Sequence, residues 1–242
     1  MGDGRGLFAR AGRRIRGHLL GLRNRRFVID ASNRFSRENL NESLEQEIGA
    51  LEARSHALRV LCVGASGPLS ERIAGMQARV TTIDIAPERK PDVVADVTDL
   101  RGFADAAFDA VFLMEVLEHV IAPEQAMAEI RRVLVPGGRL VLSTPFLFEI
   151  HEAPHDYYRF TEHGLRHLLR GFGSCRIERR NGYLKSTLVP LVRLTRSRHL
   201  GDVLVGLMAL GLCVAFAPIL ALLDRAIRSD AATTGYFATA TR

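Results

Sequence analysis

The sequence predicts an α/β fold, a doubly wound sheet of seven strands, and three observations carry the prediction. From residue 58 onward, short β-branched runs alternate with helical stretches. The first run, Val60–Val63, stops at Gly64-Ala65-Ser66-Gly67, and a helical segment follows from Pro68 to Met76. The fourth run, Phe108–Met114, is nearly all apolar, as a strand buried on both faces must be.

The elements follow in order. A helix over Ser36–Arg54 sets Leu40, Leu44, Ile48 and Leu51 on one stripe, fit to cover an edge of the domain behind it. Val60–Val63 is the first strand, Val80–Ile85 the second, Val93–Ala95 a short third and Phe108–Met114 the fourth. A helix over Pro123–Leu134 ends in Pro136-Gly137-Gly138, and a fifth strand spans Arg139–Ser143. Thr161–Leu169 reads as helix, Cys175–Arg179 as a sixth strand and Tyr236–Thr241 as a seventh. Short connections between alternating elements predict parallel pairing. Four segments result: a basic start and covering helix (1–57), a core (58–183), a hydrophobic insertion (184–231) and the last strand (232–242).

Composition narrows the classes. At 242 residues and 47% hydrophobic content, the chain can bury one sizeable core. Cys62, Cys175 and Cys213 lie far apart in apolar contexts, so free thiols in a reducing, cytoplasmic setting are expected rather than a disulfide frame or metal knuckle. The arginine-rich start has no sustained apolar stretch, so no secretory leader is expected. Residues 1–26 hold eight arginines against Asp3, a local +7 in a chain of net +6, which leaves the remainder near neutral at −1. The basic start suits a solvated tail or anionic lipid headgroups. A nucleic-acid cleft would need a basic face on the globular part itself.

The insertion breaks the alternation. Val203 to Leu223 runs for 21 residues without a charge, about 31 Å at roughly 1.5 Å per residue as helix. A single crossing would leave strand seven on the wrong side of a bilayer, and Gly206, Gly211 and Pro218 let the run bend. Leu184, Leu188, Leu191 and Val192 alternate with Lys185, Arg193, Arg196 and Arg198, a basic amphipathic pattern. A re-entrant or in-plane element on the inner face of a membrane is expected, with a buried hairpin or a true span as alternatives.

In an open parallel sheet the ligand lies beyond the carboxyl ends of the strands, where the strand order reverses. The Gly64–Gly67 turn brings backbone N–H groups there, Asp84 ends the second strand in position for a ribose diol, and Asp96-Val97 follows the third. A dinucleotide oxidoreductase would use the first two features as well. The whole pattern is more specific: Val-Leu-Cys-Val-Gly-Ala-Ser-Gly (60–67), Asp84, Ala-Asp-Val-Thr-Asp-Leu (95–100), Phe108 to Val120, and Ile130 to Pro145. Together they resemble class I S-adenosylmethionine-dependent methyltransferases, in the small-molecule branch with the Rossmann-like sheet. The likeness covers residues 58–180 and the last strand. It implies that Gly64, Ala65, Ser66 and Gly67 hold the methionine end of S-adenosylmethionine. Asp84 and Ile85 would lie at the ribose, Asp96 and Val97 at the adenine, and Met114 and Glu115 near the sulfonium. Cys62 stands where the family usually has an acid, and Ser66 and Pro68 where glycines are common.

Transfer to oxygen or nitrogen calls for a proton acceptor near neutral pH. His155 with Asp156, in the stretch 151–161 after strand five, is the expected base and orienting carboxylate, with His119 after strand four as a second candidate. Glu115, Glu118 and His119 at offsets of three and four would share one helix face, and with His155 resemble the metal cluster of some RNA ribose and quinone-precursor methyltransferases. The expectation is therefore O-methylation of a small or lipid-linked acceptor at a membrane surface. The rivals are a non-catalytic membrane scaffold on the same fold and an RNA methyltransferase.

Overall fold

The computed structural model describes residues 25–54 and 57–242; the basic start at 1–24 lies outside them. The long helix α1 (Arg25–Glu52) leads into β1 (Arg59–Val63), α2 (Pro68–Ala74), β2 (Arg79–Asp84) and the two-residue β3 (Val93–Val94). Then come β4 (Phe108–Met114), α3 (Pro123–Val133), β5 (Leu134–Pro145), α4 (Glu162–Leu168) and β6 (Ser174–Arg179). Three helices, α5 (Tyr183–Arg193), α6 (Leu200–Ala215) and α7 (Ala217–Ala226), precede β7 (Gly235–Thr241).

The seven strands form one sheet in the order β3-β2-β1-β4-β5-β7-β6. Pairs from β3 through β5 are parallel, but β7 runs antiparallel to both neighbours, so the sheet is mixed rather than wholly parallel. The long excursion through α5–α7 lets β7 enter from the opposite end, slotting Ala238 between Leu142 and Ile177. The order reverses at β1, beside β4, and at such a reversal an open sheet places its crevice beyond the strands' carboxyl ends.

Alternation along the strands divides the core. Leu61, Val111, Leu113 and Leu140 face α3 and α4 with Ile130 and Leu165, while Val60, Cys62, Phe112 and Val141 face the other side. There Leu40, Leu44, Ile48 and Leu51 of α1 cover the sheet, the stripe expected from their spacing. Cys62 is fully buried, and its thiol is pushed up to about 12 by burial. All three cysteines are free.

The insertion folds as a bent unit. The α6 and α7 axes meet at 80°, and no single helix among the described residues is long and apolar enough to cross a membrane, whereas the bent pair together is. Asp224 near the end of α7 accepts the Leu184 N–H at 2.8 Å, so the last helix caps the first. A Cβ on Gly206 would meet the Thr195 nitrogen at 2.4 Å, which fixes glycine where α6 crosses the preceding turn. The outer faces of α6 and α7 leave Met208, Leu212, Val214, Phe216, Ile219 and Leu222 exposed.

Candidate active site

The crevice has a cofactor half built from backbone. Gly64 and Gly67 adopt φ of +92° and +93°, a region that side chains with a Cβ disfavour. A Cβ on Gly64 would stand 3.2 Å from Val116, so the loop passes close to the turn after β4. At Gly67 a Cβ would meet nothing within 4 Å, which leaves bare backbone facing open space. The Ser70 hydroxyl donates to the Gly64 carbonyl at 2.7 Å and pins the loop from below.

Asp84 is only 6% exposed and points into this bend. Its carboxylate accepts the Ala65 N–H at 3.0 Å and the Ala86 N–H at 2.9 Å, and the Arg89 guanidinium lies 3.4 Å away. Two backbone bonds leave lone pairs for hydroxyl donors. Ile85 beside it is 70% exposed, an apolar face at the crevice rim. Asp96 is exposed and accepts the Thr98 N–H, whereas the Val97 and Met114 side chains pack into the core and can offer the crevice only their backbone. Ser66 is exposed at the loop tip. Bare glycine backbone, an acid at the end of β2 and an exposed isoleucine together fit a nucleoside bearing an amino-acid tail.

The other half is built from charged side chains, and here the expected grouping needs correcting. Glu115 sits at φ +55° and turns away from Glu118 and His119. Its carboxylate accepts two bonds from Arg180, and Ser143 donates to it at 3.0 Å. Burial alone would push Glu115 up; Arg180, Arg37 and Ser143 overturn that and hold it below the usual carboxylate range. The turn after β4 is a single 3₁₀ turn at Leu117–His119 that does not include Glu115, so the helical offsets of three and four do not apply. Gly235 leaves room for Arg180, since a Cβ there would lie 2.9 Å from its guanidinium carbon.

His155 is likewise not paired with Asp156. Its ring is exposed and hydrogen-bonded to the Tyr157 hydroxyl at 2.9 Å. Asp156 is instead clamped by both Arg159 terminal nitrogens at 2.6 and 2.7 Å and accepts the His151 N–H at 2.9 Å. Arg159 holds the Asp156 carboxyl well below its ordinary value. The histidine beside it is His151, with Nδ1 3.4 Å from the Asp156 carboxylate.

His119, His151 and Glu118 therefore converge. His119 Nδ1 lies 2.6 Å from the His155 carbonyl and His151 Nδ1 lies 3.3 Å from the Glu149 carbonyl. A carbonyl only accepts, so both Nδ1 atoms carry the hydrogen and both Nε2 atoms present lone pairs. These face Glu118 Oε1 at 3.7 and 3.6 Å. Glu118 is fully buried, and among the described residues neither carboxylate oxygen has a hydrogen-bond partner. Burial pushes its carboxyl up, and the Glu118 carboxylate pushes His151 up in turn. Two imidazole lone pairs and an orphan carboxylate make a site that needs a cation, either a proton or a divalent ion held by Glu118, His119 and His151. His151, Arg159 and Arg180 were not singled out from the sequence; the odd spacing of His151 from Asp156, across a loop, hid the pair.

Known proteins resemble the chain over the strands that carry this site. A family profile described as "Methyltransferase domain" matches residues 61–142. A ubiquinone biosynthesis O-methyltransferase of Xanthomonas oryzae pv. oryzae (strain PXO99A) is 43% identical over 101 residues, covering 36% of this chain and 42% of that protein. Its counterpart in Xanthomonas axonopodis pv. citri (strain 306) is 41% identical over the same length and shares. The chain thus spans less than half the length of these curated relatives. Among solved structures, a SAM-dependent methyltransferase from Archaeoglobus fulgidus is similar at a TM-score of 0.55 and 16% identity, covering 86% of this chain and 95% of that one. Phosphoethanolamine N-methyltransferase 2 of Haemonchus contortus, solved with S-adenosyl-L-methionine, gives 0.53 at 14% identity, covering 82% of this chain and 52% of that one. At such identities the structures speak for the fold alone. The family match and the fold likeness fall on the same strands: residues 61–142 run from β1 into β5 and are similar to the methyltransferase domain family.

Proposed function

We propose that the protein is an S-adenosylmethionine-dependent methyltransferase that methylates an oxygen of a small or lipid-linked acceptor at the inner face of a membrane. The observation that carries this reading is the split crevice: a bare-backbone glycine bend facing Asp84 on one side, and Glu118, His151 and Asp156 in line on the other. The relatives' O-methyltransferase activity supports oxygen as the acceptor atom.

Bound in the crevice, S-adenosylmethionine supplies an electrophilic methyl group. The chain supplies position and a proton acceptor. Gly64–Gly67 and Asp84 would hold the methyl donor's amino-acid end and its sugar, so that attack can be in line. An acceptor hydroxyl gives its proton to Nε2 of His151, and the resulting imidazolium lies between Glu118 and Asp156, which stabilise it. Tyr158 donates to the Ile121 carbonyl, and the Tyr157 and Tyr158 N–H groups bond to the Glu118 carbonyl, so the 146–160 loop is fastened over this half. With Glu115 bound to Arg180, it contributes shape rather than proton transfer.

Membrane attachment rests on the insertion. Six exposed side chains on α6 and α7 and at Phe216 between them are each worth about 1.5–3 kcal/mol if fully withdrawn from water, so even partial insertion would match micromolar binding at about 8 kcal/mol. Exposed Arg196, Arg198, Arg225 and Arg228 bracket the apolar run and suit anionic headgroups.

Two measurements test the proposal. Calorimetry with S-adenosylhomocysteine should show binding; none at millimolar concentration would leave a non-catalytic scaffold. The intact chain should sediment with phosphatidylglycerol-containing vesicles, and Leu212→Glu with Met208→Glu should release it without lowering Tm. Unchanged sedimentation of that double variant would remove the lipid-facing role of α6.

A further inference from the structure

The insertion turns one charged side chain inward. Arg193, at the end of α5, is 5% exposed, whereas Arg196 and Arg198 just beyond it are exposed. Its Nε lies 2.5 Å from both Glu149 carboxylate oxygens, its guanidinium carbon sits 4.0 Å above the Phe148 ring, and Nη1 donates to the Ser36 hydroxyl of α1 at 3.3 Å. A buried guanidinium with three partners from two other segments is costly to desolvate and has few alternative positions.

Glu149 faces two ways. Its carboxylate belongs to Arg193, while its backbone carbonyl accepts from His151 Nδ1 at 3.3 Å and from Arg159 at 3.1 Å. Phe148, under the guanidinium, also meets the His151 ring edge-on at 5.4 Å between centroids. Farther along the same loop, Glu152 is held by Arg89 at 3.0 Å, and Arg89 also reaches Asp84 on the cofactor side. The segment carrying His151 is thus tied at one end to the inserted helices and at the other to the cofactor edge.

We infer that Arg193 is a positioning residue: through Glu149 and Phe148 it sets the ring orientation and the Nδ1–H form of His151, and so ties the inserted helices to the proton acceptor. A free imidazole carries its hydrogen on either nitrogen, and which one is set by the bond the other makes. With the Glu149 carbonyl held in place, Nδ1 keeps the hydrogen and Nε2 keeps the lone pair that faces Glu118. With Glu149 released, only the Asp156 carboxylate 3.4 Å from Nδ1 still favours Nδ1–H, and Nε2–H gains population because it can donate to the Glu118 carboxylate. Fixed orientation of this kind matters to catalysis, where a displacement of about 1 Å costs about 10²-fold.

The catalytic meaning of this inference rests on His151 as the base, but its test needs neither acceptor nor cofactor. The full chain is labelled with ¹⁵N-histidine, and the His151 ring nitrogens are identified by their loss in His151→Gln. In the unaltered chain they should report Nδ1–H. Arg193→Met should shift them toward Nε2–H or a mixture, and Arg193→Lys, which keeps the charge on Glu149, should restore part of the original form. Glu149→Gln retains the carbonyl while weakening the ion pair, and should give an intermediate spectrum if Arg193→Met does not fold. Retention of the Nδ1–H signature in both Arg193→Met and Glu149→Gln overturns the inference. S-adenosylhomocysteine affinity, measured alongside, should be the same in all folded variants. Absence of binding in the unaltered chain sinks the methyltransferase proposal and leaves the tautomer result standing, whereas selective loss in Arg193→Met places Arg193 on the cofactor side and overturns its positioning of His151.

Discussion

The two halves of the crevice are made of different material. On the β1–β2 side, the ligand-facing surface is backbone: two glycines at positive φ and one aspartate that braces the bend through the Ala65 N–H. On the β4–β5 side it is a network of side chains, with Glu115 on Arg180, Asp156 on Arg159, Glu149 on Arg193, and Glu118 left without a donor. A backbone cradle recognises a common shape and tolerates change in its neighbours. A charge network is specific, because removing one buried partner leaves the other exposed to a penalty of about 3–5 kcal/mol. The contrast suits the proposed division of labour, with an invariant methyl donor on one side and a particular acceptor on the other.

The sharpest way to separate the halves is to break the proton acceptor. His151→Ala should lower turnover by about 10²–10⁴ and leave S-adenosylhomocysteine affinity nearly unchanged. The same substitution at His155, whose ring is exposed and bonded to Tyr157, should cost far less. Equal losses at the two positions would return the base assignment to the loop tip and dissolve the contrast.

Asp84→Asn attacks the other half and should show the reverse pattern. The side chain keeps its size, but charge-assisted bonds worth about 1.5–3 kcal/mol are weakened, so S-adenosylhomocysteine should bind about 10- to 100-fold more weakly. The ratio of turnover at saturating donor should change little. An Asp84→Asn chain that binds the donor normally would mean that the acid only braces the Ala65 and Ala86 amides.

What the sequence revealed follows the same boundary. The glycine bend, Asp84 and the strand alternation were legible because backbone constraints act locally: φ near +90° demands glycine wherever it occurs. The α1 stripe was legible through its period. The acceptor half was not, since spacing along the chain does not encode which way a side chain turns. Glu115 has the left-handed conformation that sends it to Arg180, 65 positions away, and a 3₁₀ turn replaces the helix that would have aligned it with Glu118. Asp156 pairs with His151 across a loop rather than with its chain neighbour His155. The antiparallel β7 escaped for a related reason, because direction depends on where the excursion through α5–α7 ends.

The smallest effect expected is a shift in the pH–rate profile, and its sign is fixed by the charges around His151. Facing this ring are Glu118, Asp156 and His119, with Arg159 behind Asp156. The Glu118 contact is the larger influence and Asp156 a lesser one, and both raise His151 above its ordinary value against the opposing effect of burial. A base works only when neutral, so turnover should rise with pH through a midpoint above that of a free imidazole. Glu118→Gln should move the midpoint down, and Asp156→Asn should move it down by less, since it removes one carboxylate and leaves Arg159 unopposed. A divalent ion on Glu118, His119 and His151 would instead occupy the Nε2 lone pair, so that His151 could act as base only after a chelator removed the ion. A midpoint insensitive to chelator but lowered by both substitutions assigns the missing positive charge at Glu118 to a proton shared with His151 and makes the acceptor half a relay of two carboxylates and one imidazole.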